Sequence, residues 1–282
     1  MNKNKALGMV ITSMVIWGTI GIFRRYIALP SSVIAFARGI IGSVFLIILC
    51  KVKGISLKQV PSKKMVGLLV LSGVLMGINW LLLFEAYNYT SVATATLCYY
   101  MEPVIVILVS PILFKEALTK RKIICVAVAL FGMLLVSGVI GSEIYGLLGI
   151  VLGLAAALLY GTVVIMNKWL QGVDTYQKTI IQLLSAAMIM IPYMLFVEDM
   201  HIVTDMVSIG MLLFVGIVHT GIAYALYFGA IPKLKTQTVA LFSYLDPVVA
   251  IVLSAVVLHE SMSVLSIIGA ICILGSLIVG EM

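Results

Sequence analysis

Charge is scarce in this chain. Lys and Arg number 18 and Asp and Glu 11 among 282 residues, so 10% are charged and 63% hydrophobic. Mean hydropathy is +1.23. A soluble fold of this length cannot hide that much apolar surface, which places the chain among polytopic membrane proteins. Cysteine is scarce too. Cys50, Cys98, Cys125 and Cys272 are scattered through apolar runs and form no C-x-x-C pair. They read as small reduced core residues rather than a disulfide framework or a metal-binding thiol set. No second histidine follows His259-Glu260 at metalloprotease spacing, so no metal site is expected. The chain has no phosphate-binding glycine loop and no ATPase signature, which argues against primary active transport and against a bound cofactor. The net charge of +7 does not point to nucleic acid, because the basic residues gather in particular connections.

What is present is a series of long apolar runs. A spanning helix needs about 20 mainly apolar residues. The runs predict ten: 6–27, 33–50, 65–87, 92–114, 121–139, 145–167, 177–197, 206–228, 236–258 and 263–280. Met1-Asn2-Lys3-Asn4-Lys5 leads directly into the first run without a small-residue cleavage site. That run is therefore expected to be a retained helix, not a removed signal. The expected fold class is all-α: a polytopic membrane protein of ten transmembrane helices.

Basic residues set the orientation. With both termini in the cytoplasm, 15 Lys and Arg fall inside and only Arg24 and Arg25 fall outside, while Arg38 lies within the second span. The inner set includes Lys51, Lys53, Lys58, Lys63 and Lys64 in one connection and Lys115, Lys120, Arg121 and Lys122 in another. The expected location is the cell membrane.

The halves resemble each other at an offset of 144, in pairs such as Phe84/Phe228, Thr94/Thr238, Tyr100/Tyr244, Pro103/Pro247 and Glu116/Glu260. Trp17-Gly18-Thr19 answers Tyr160-Gly161-Thr162 at an offset of 143. Each unit holds five spans, an odd number, so the second must enter the membrane upside down. The expected units are residues 1–139 and 140–282. Gly73-x-x-x-Gly77 and Gly149-x-x-x-Gly153 are small-residue packing motifs that close contact inside one bundle would explain, leaving monomer or homodimer open.

Glu102-Pro103 and Asp246-Pro247 are the most informative of the matched pairs. Each lies near the middle of an apolar run, where a carboxylate costs at least ~2.5 kcal/mol. The proline beside it removes a ladder hydrogen bond and frees a carbonyl one turn back. Broken helices at corresponding positions of inverted repeats are a signature of alternating-access carriers.

These features together resemble the drug/metabolite transporter superfamily, in its ten-helix EamA-type branch. The resemblance rests on F-E-A-Y-N-Y-T-S (84–91), the Glu-Pro of span four and L-F-K-E-A-L-T (113–119). In the second half it rests on Y-F-G-A-I-P (227–232), the Asp-Pro of span nine and L-H-E-S-M-S (258–263). Arg38 in A-R-G-I-I-G matches an arginine common in that branch's second helix. The resemblance covers essentially the whole chain and implies a carrier rather than an enzyme. The branch moves amino acids, nucleosides, choline, drugs and other metabolites. Glu85, Glu102 and Asp246 fall where many of its members carry uncharged residues.

Candidate site residues follow. Glu102 shares a helix face with Thr94 and Cys98, and Asp246 with Thr238 and Phe242. Both acids read as a cation or proton site, or as buried acids neutralised by Arg38. Glu85 reads either as a ligand's partner or as a solvated charge in the outer vestibule. Arg38 is expected to form a structural ion pair with a carboxylate. His219 reads either as a proton relay or as an inter-helix hydrogen bond. Trp17, Trp80, Tyr99, Tyr100, Tyr224, Phe242 and Tyr244 lie within spans rather than at their ends, where interfacial rings belong. Rings around a carboxylate make a cage for an organic cation, though any one ring could be ordinary packing. The expected substrate-binding set is Trp17, Trp80, Glu85, Tyr99, Glu102, Phe242, Tyr244 and Asp246. The expected proton carriers are Glu102, Asp246, Glu85 and His219. The expected function is proton-coupled secondary transport of a small organic cation or zwitterion, choline or a similar quaternary amine being the most concrete choice. The alternatives are an exporter of amino acids, drugs or other metabolites, and an intramembrane enzyme.

Overall fold

The computed structural model describes residues 2–24, 26–55, 62–137, 139–140, 146–170, 172–196, 205–257, 259 and 263–281. Among these, ten helical rods occur where the apolar runs predict them. They are α1 Lys3–Arg24, α2 Ser31–Val52, α3 Lys63–Tyr89, α4 (halves Val92–Tyr99 and Glu102–Phe114) and α5 Lys120–Val136. Then come α6 Leu147–Trp169, α7 Thr175–Phe196, α8 Met206–Lys233, α9 (halves Thr236–Phe242 and Leu245–Val257) and α10 Val264–Glu281. Eight are long and apolar enough to cross a membrane; α5 and α10 are shorter. The protein is an all-helical polytopic membrane protein.

Local chemistry explains where the rods begin. The side chains of Asn2, Ser62, Ser91, Thr119 and Asp205 each accept a hydrogen bond from a backbone N–H three residues on, satisfying a donor that the first turn leaves orphaned. Exposed apolar side chains such as Val44, Ile48, Ile124, Leu158 and Ile271 cover the outside, as lipid-facing positions require.

The two repeats interlock rather than lie side by side. α3 packs along α6 and α7, and its counterpart α8 packs along α1 and α2. α2 pairs with α7, α4 with α9 and α5 with α10, each helix meeting its own repeat partner. With five rods per repeat, the second is inverted. The glycine motifs serve this interlock. A Cβ on Gly77 would come within 2.6 Å of the Ala186 carbonyl oxygen on α7, and one on Gly153 within 2.9 Å of Cys98 on α4. Both motifs are used inside one chain.

Candidate functional site

The two expected breaks are present. α4 stops at Tyr99 and resumes at Glu102, and α9 stops at Phe242 and resumes at Leu245. Pro103 and Pro247 sit in the first turns of the second halves, where a missing N–H costs nothing. The breaks clasp each other through the matched tyrosines. The Tyr100 hydroxyl donates to Asp246 Oδ2 at 3.1 Å, and the Tyr244 hydroxyl donates to the Tyr100 carbonyl at 3.1 Å.

Between the breaks lies a cavity of about 390 Å³. Glu102 and Asp246 line it, with Arg38 and the rings of Trp17, Trp80, Tyr99, Tyr100, Tyr160 and Tyr224. The rings form a connected wall: Trp17 lies 4.8 Å from Tyr224, Tyr224 6.3 Å from Trp80, and Tyr99 6.1 Å from Tyr160, centroid to centroid. Glu102 is buried, and its Oε1 has no partner among the described residues. A buried carboxylate oxygen left unpaired is costly unless a ligand or proton visits it. Asp246 is only half-buried, its remaining surface facing the cavity.

Arg38 differs from expectation. No carboxylate pairs with it among the described residues. Its guanidinium carbon instead stands 4.2 Å from the centroid of the Trp80 ring, and its Nε has no partner there. The ring face supplies the negative potential that a carboxylate was expected to supply.

Three expected wall residues lie elsewhere. Glu85 accepts hydrogen bonds from the Tyr193 hydroxyl and, at 3.3 Å, from Asn88 Nδ2, which ties α3 to α7 outside the cavity. Phe242 and Tyr244 are buried behind the wall and support the break. Spacing along one helix cannot show that these two rings pack into the core.

His219 is buried within a π-helical stretch of α8, Val215–Ile222. Its Nε2 lies 2.7 Å from Thr19 Oγ1, and its carbonyl accepts from Trp17 Nε1 at 2.8 Å. The inter-helix reading describes this contact. Wider turns release carbonyls from the regular ladder, and one of them here holds the Trp17 ring against the cavity. Arg24, at the end of α1, donates to the carbonyls of Ile27 and Leu29 at 2.7 and 3.1 Å. Arg25 and Glu260 lie outside the described residues.

Sequence reasoning passed over Tyr160 and Tyr87 as wall residues. Tyr160 carried a signal, since it is the repeat counterpart of Trp17. Tyr87 carried none that spacing could separate from packing.

The cavity extends toward the end that holds Gly21, Ile27, Ser31, Leu83 and Tyr87. The opposite end is closed by polar contacts, of which those of Glu116 and Ser110 run between the repeats. The Glu116 carboxylate accepts from the backbone N–H groups of Thr236 at 2.8 Å and Gln237 at 3.2 Å. Gln237 Nε2 donates to Ser110 Oγ at 2.8 Å. Lys168 donates to the Leu234 carbonyl. Lys178, almost fully buried, donates at 2.9 Å to the Phe228 carbonyl, which Pro232 four residues on cannot serve.

A ring-lined cavity between broken helices of two inverted repeats is an architecture that suits a transporter. The EamA-like transporter family matches residues 4–138 and again residues 147–280. The chain belongs to that family. An uncharacterized transporter of Bacillus subtilis, YxxF, is 31% identical over 260 residues, covering 90% of this chain and 82% of that protein. Protein RarD of Salmonella typhi is 28% identical, covering 70% of this chain and 66% of RarD. A solved chain described as "Crystal structure of protein" superposes with a TM-score of 0.87 at 19% identity, covering 98% of each chain, so the likeness is one of fold. This transporter thus repeats one five-helix unit twice, and its ring-lined cavity lies where the two copies break.

Proposed function

We propose that this transporter is a secondary active carrier in the cell membrane that takes a small ammonium-bearing metabolite into the cavity between α1, α2, α3, α4, α8 and α9. The observation that carries the reading is the convergence of Glu102 and Asp246, from equivalent breaks of the two repeats, on one ring-lined hollow. The acids meet the ammonium group and the rings give it a cation–π seat. The repeats, residues 1–139 and 140–282, rock against each other. Both termini are cytoplasmic, so the Gly21 end faces outward and the Glu116 end faces the cytoplasm. A proton is the coupling ion, and Glu102, with its unpartnered oxygen, carries it.

Two ligand classes fit the wall. A quaternary amine such as choline uses the acids and rings alone. A zwitterion, including an amino acid, also uses Arg38, whose unpartnered Nε belongs to a side chain lining the same cavity. Arg38 favours the zwitterion, because an isolated cation gains nothing from a positive neighbour. Direction follows the gradients, so uptake and export are both open to this geometry.

Proteoliposomes carrying the purified protein decide between them. Labelled choline and labelled neutral amino acids are offered with and without a pH gradient. Saturable, gradient-driven accumulation that Glu102→Gln abolishes supports the carrier reading. Amino-acid transport that Arg38→Gln abolishes selects the zwitterion, whereas choline transport that Arg38→Gln leaves intact, with no transport of amino acids by wild type, selects the quaternary amine. Transport indifferent to Glu102→Gln removes the proposed site.

A further inference from the structure

A second cavity, of about 750 Å³, lies at the closed end of the bundle, apart from the substrate cavity. Six basic side chains surround it: Lys3 from α1, Lys120, Arg121 and Lys122 from α5, and Lys233 and Lys235 from the connection between α8 and α9. No carboxylate lines it among the described residues. The neighbouring Glu116 is committed to the N–H groups of Thr236 and Gln237. Glu281 follows the lining residue Gly280 in sequence, and its side chain lies outside the described residues.

This arrangement goes beyond a general excess of inner positive charge, which requires only that basic residues share a side. Here three separate stretches of chain converge on one hollow. Three of the six cations also occupy the first turn of α5, which contains no acidic residue. That is the positive end of the helix dipole, where cations are disfavoured and an anion is favoured. Lys122 donates to Gln237 Oε1, and Lys120, Arg121, Lys233 and Lys235 bring four further positive charges to the same hollow, which draws an anion there.

We propose that this cavity is a binding site for the headgroup of an anionic phospholipid. The setting favours a lipid over a soluble anion. The ends of α1, α5 and α10 lie at headgroup depth in a bilayer. Directly below the cations, Ile123 and Ile124 of α5 are exposed, as are Ile278 and Val279 of α10 before Gly280. A phosphate seated among the lysines would lay its acyl chains along these apolar flanks. Basic pockets between transmembrane helices recognise anionic headgroups by this combination. The occupant would bridge the first repeat, through Lys3 and α5, to the second, through Lys233 and Lys235.

The test uses the full-length protein in phosphatidylcholine nanodiscs with and without phosphatidylglycerol, reading thermal stability and lipid retention by native mass spectrometry. Wild type should retain phosphatidylglycerol and melt higher with it. Lys120→Gln with Arg121→Gln should weaken retention about tenfold. Lys51→Gln with Lys53→Gln, exposed residues of the other basic connection carrying the same charge change, should leave it unaltered. Should the first pair fail to fold, Lys233→Gln with Lys235→Gln reads the same cavity from the second repeat. Equal loss from the cavity and control pairs would overturn the site in favour of bulk charge attraction. Inorganic phosphate stabilising the protein as well as phosphatidylglycerol does would overturn the lipid in favour of a soluble anion.

Discussion

The breaks of α4 and α9 are built alike and charged alike, yet their acids are treated differently. Asp246 receives the Tyr100 hydroxyl, and the backbone of its helix approaches Gly18 of α1 so closely that a Cβ there would come within 2.8 Å of the Asp246 carbonyl oxygen. Glu102 is buried, and its Oε1 has no partner among the described residues. The two repeats therefore share the backbone device and differ in chemistry: one acid is held by a tyrosine, and the other keeps an oxygen without a partner among the described residues. The clasp is asymmetric for the same reason. Tyr100 donates to a side chain, whereas Tyr244 donates to a carbonyl exposed by the opposite break.

Substitutions at five positions would break or sharpen this contrast. Glu102→Gln is expected to lower initial transport rates in proteoliposomes most, by more than about tenfold, while leaving the melting temperature unchanged or raised, because it relieves an unpaired buried charge. Asp246→Asn keeps an acceptor for Tyr100 and should cost less; if it proved the more damaging, the division between the acids would be reversed. Trp80→Ala removes the ring under Arg38, worth about 0.5–2 kcal/mol, and should weaken substrate affinity up to roughly thirtyfold in binding titrations. Trp80→Phe should restore part of that loss, which a purely volumetric role for the ring would not predict.

Tyr100→Phe deletes one hydroxyl donated to a carboxylate. A change of about 0.5–1.5 kcal/mol corresponds to roughly two- to tenfold in transport, measured at fixed protein density. It should act through Asp246, so Tyr100→Phe combined with Asp246→Asn should cost little more than Asp246→Asn alone. Glu85→Gln belongs at the bottom of the scale. Its partners are Tyr193 and Asn88, away from the cavity, and transport should change by less than about twofold. A large loss from Glu85→Gln would return that acid to the substrate path.

Much of this was legible from the residues alone. Apolar runs of bilayer length marked all ten rods to within a few positions, because lipid forces every backbone polar group into a helix. The repeat offset and the two carboxylate–proline pairs marked the breaks. Trp17, Trp80, Tyr99, Glu102 and Asp246 were placed on the cavity wall by the same logic. The misplacements have local causes. Phe242 and Tyr244 pack into the core beside the α9 break, which a period along one helix cannot reveal. Glu85 found a tyrosine on α7, a partner that spacing along α3 cannot reveal.

The linear chain settled what depends on solvent and periodicity: a membrane protein, its rods, its inverted duplication, and the depth of its charges. Tertiary packing settled which groups meet. It set Arg38 over an indole instead of beside an acid, widened α8 around His219, left one oxygen of Glu102 without a partner among the described residues, and closed one end with Glu116. Those outcomes depend on which faces of distant helices come within a few ångströms of each other, and hydrogen bonds and ring contacts act only over that range.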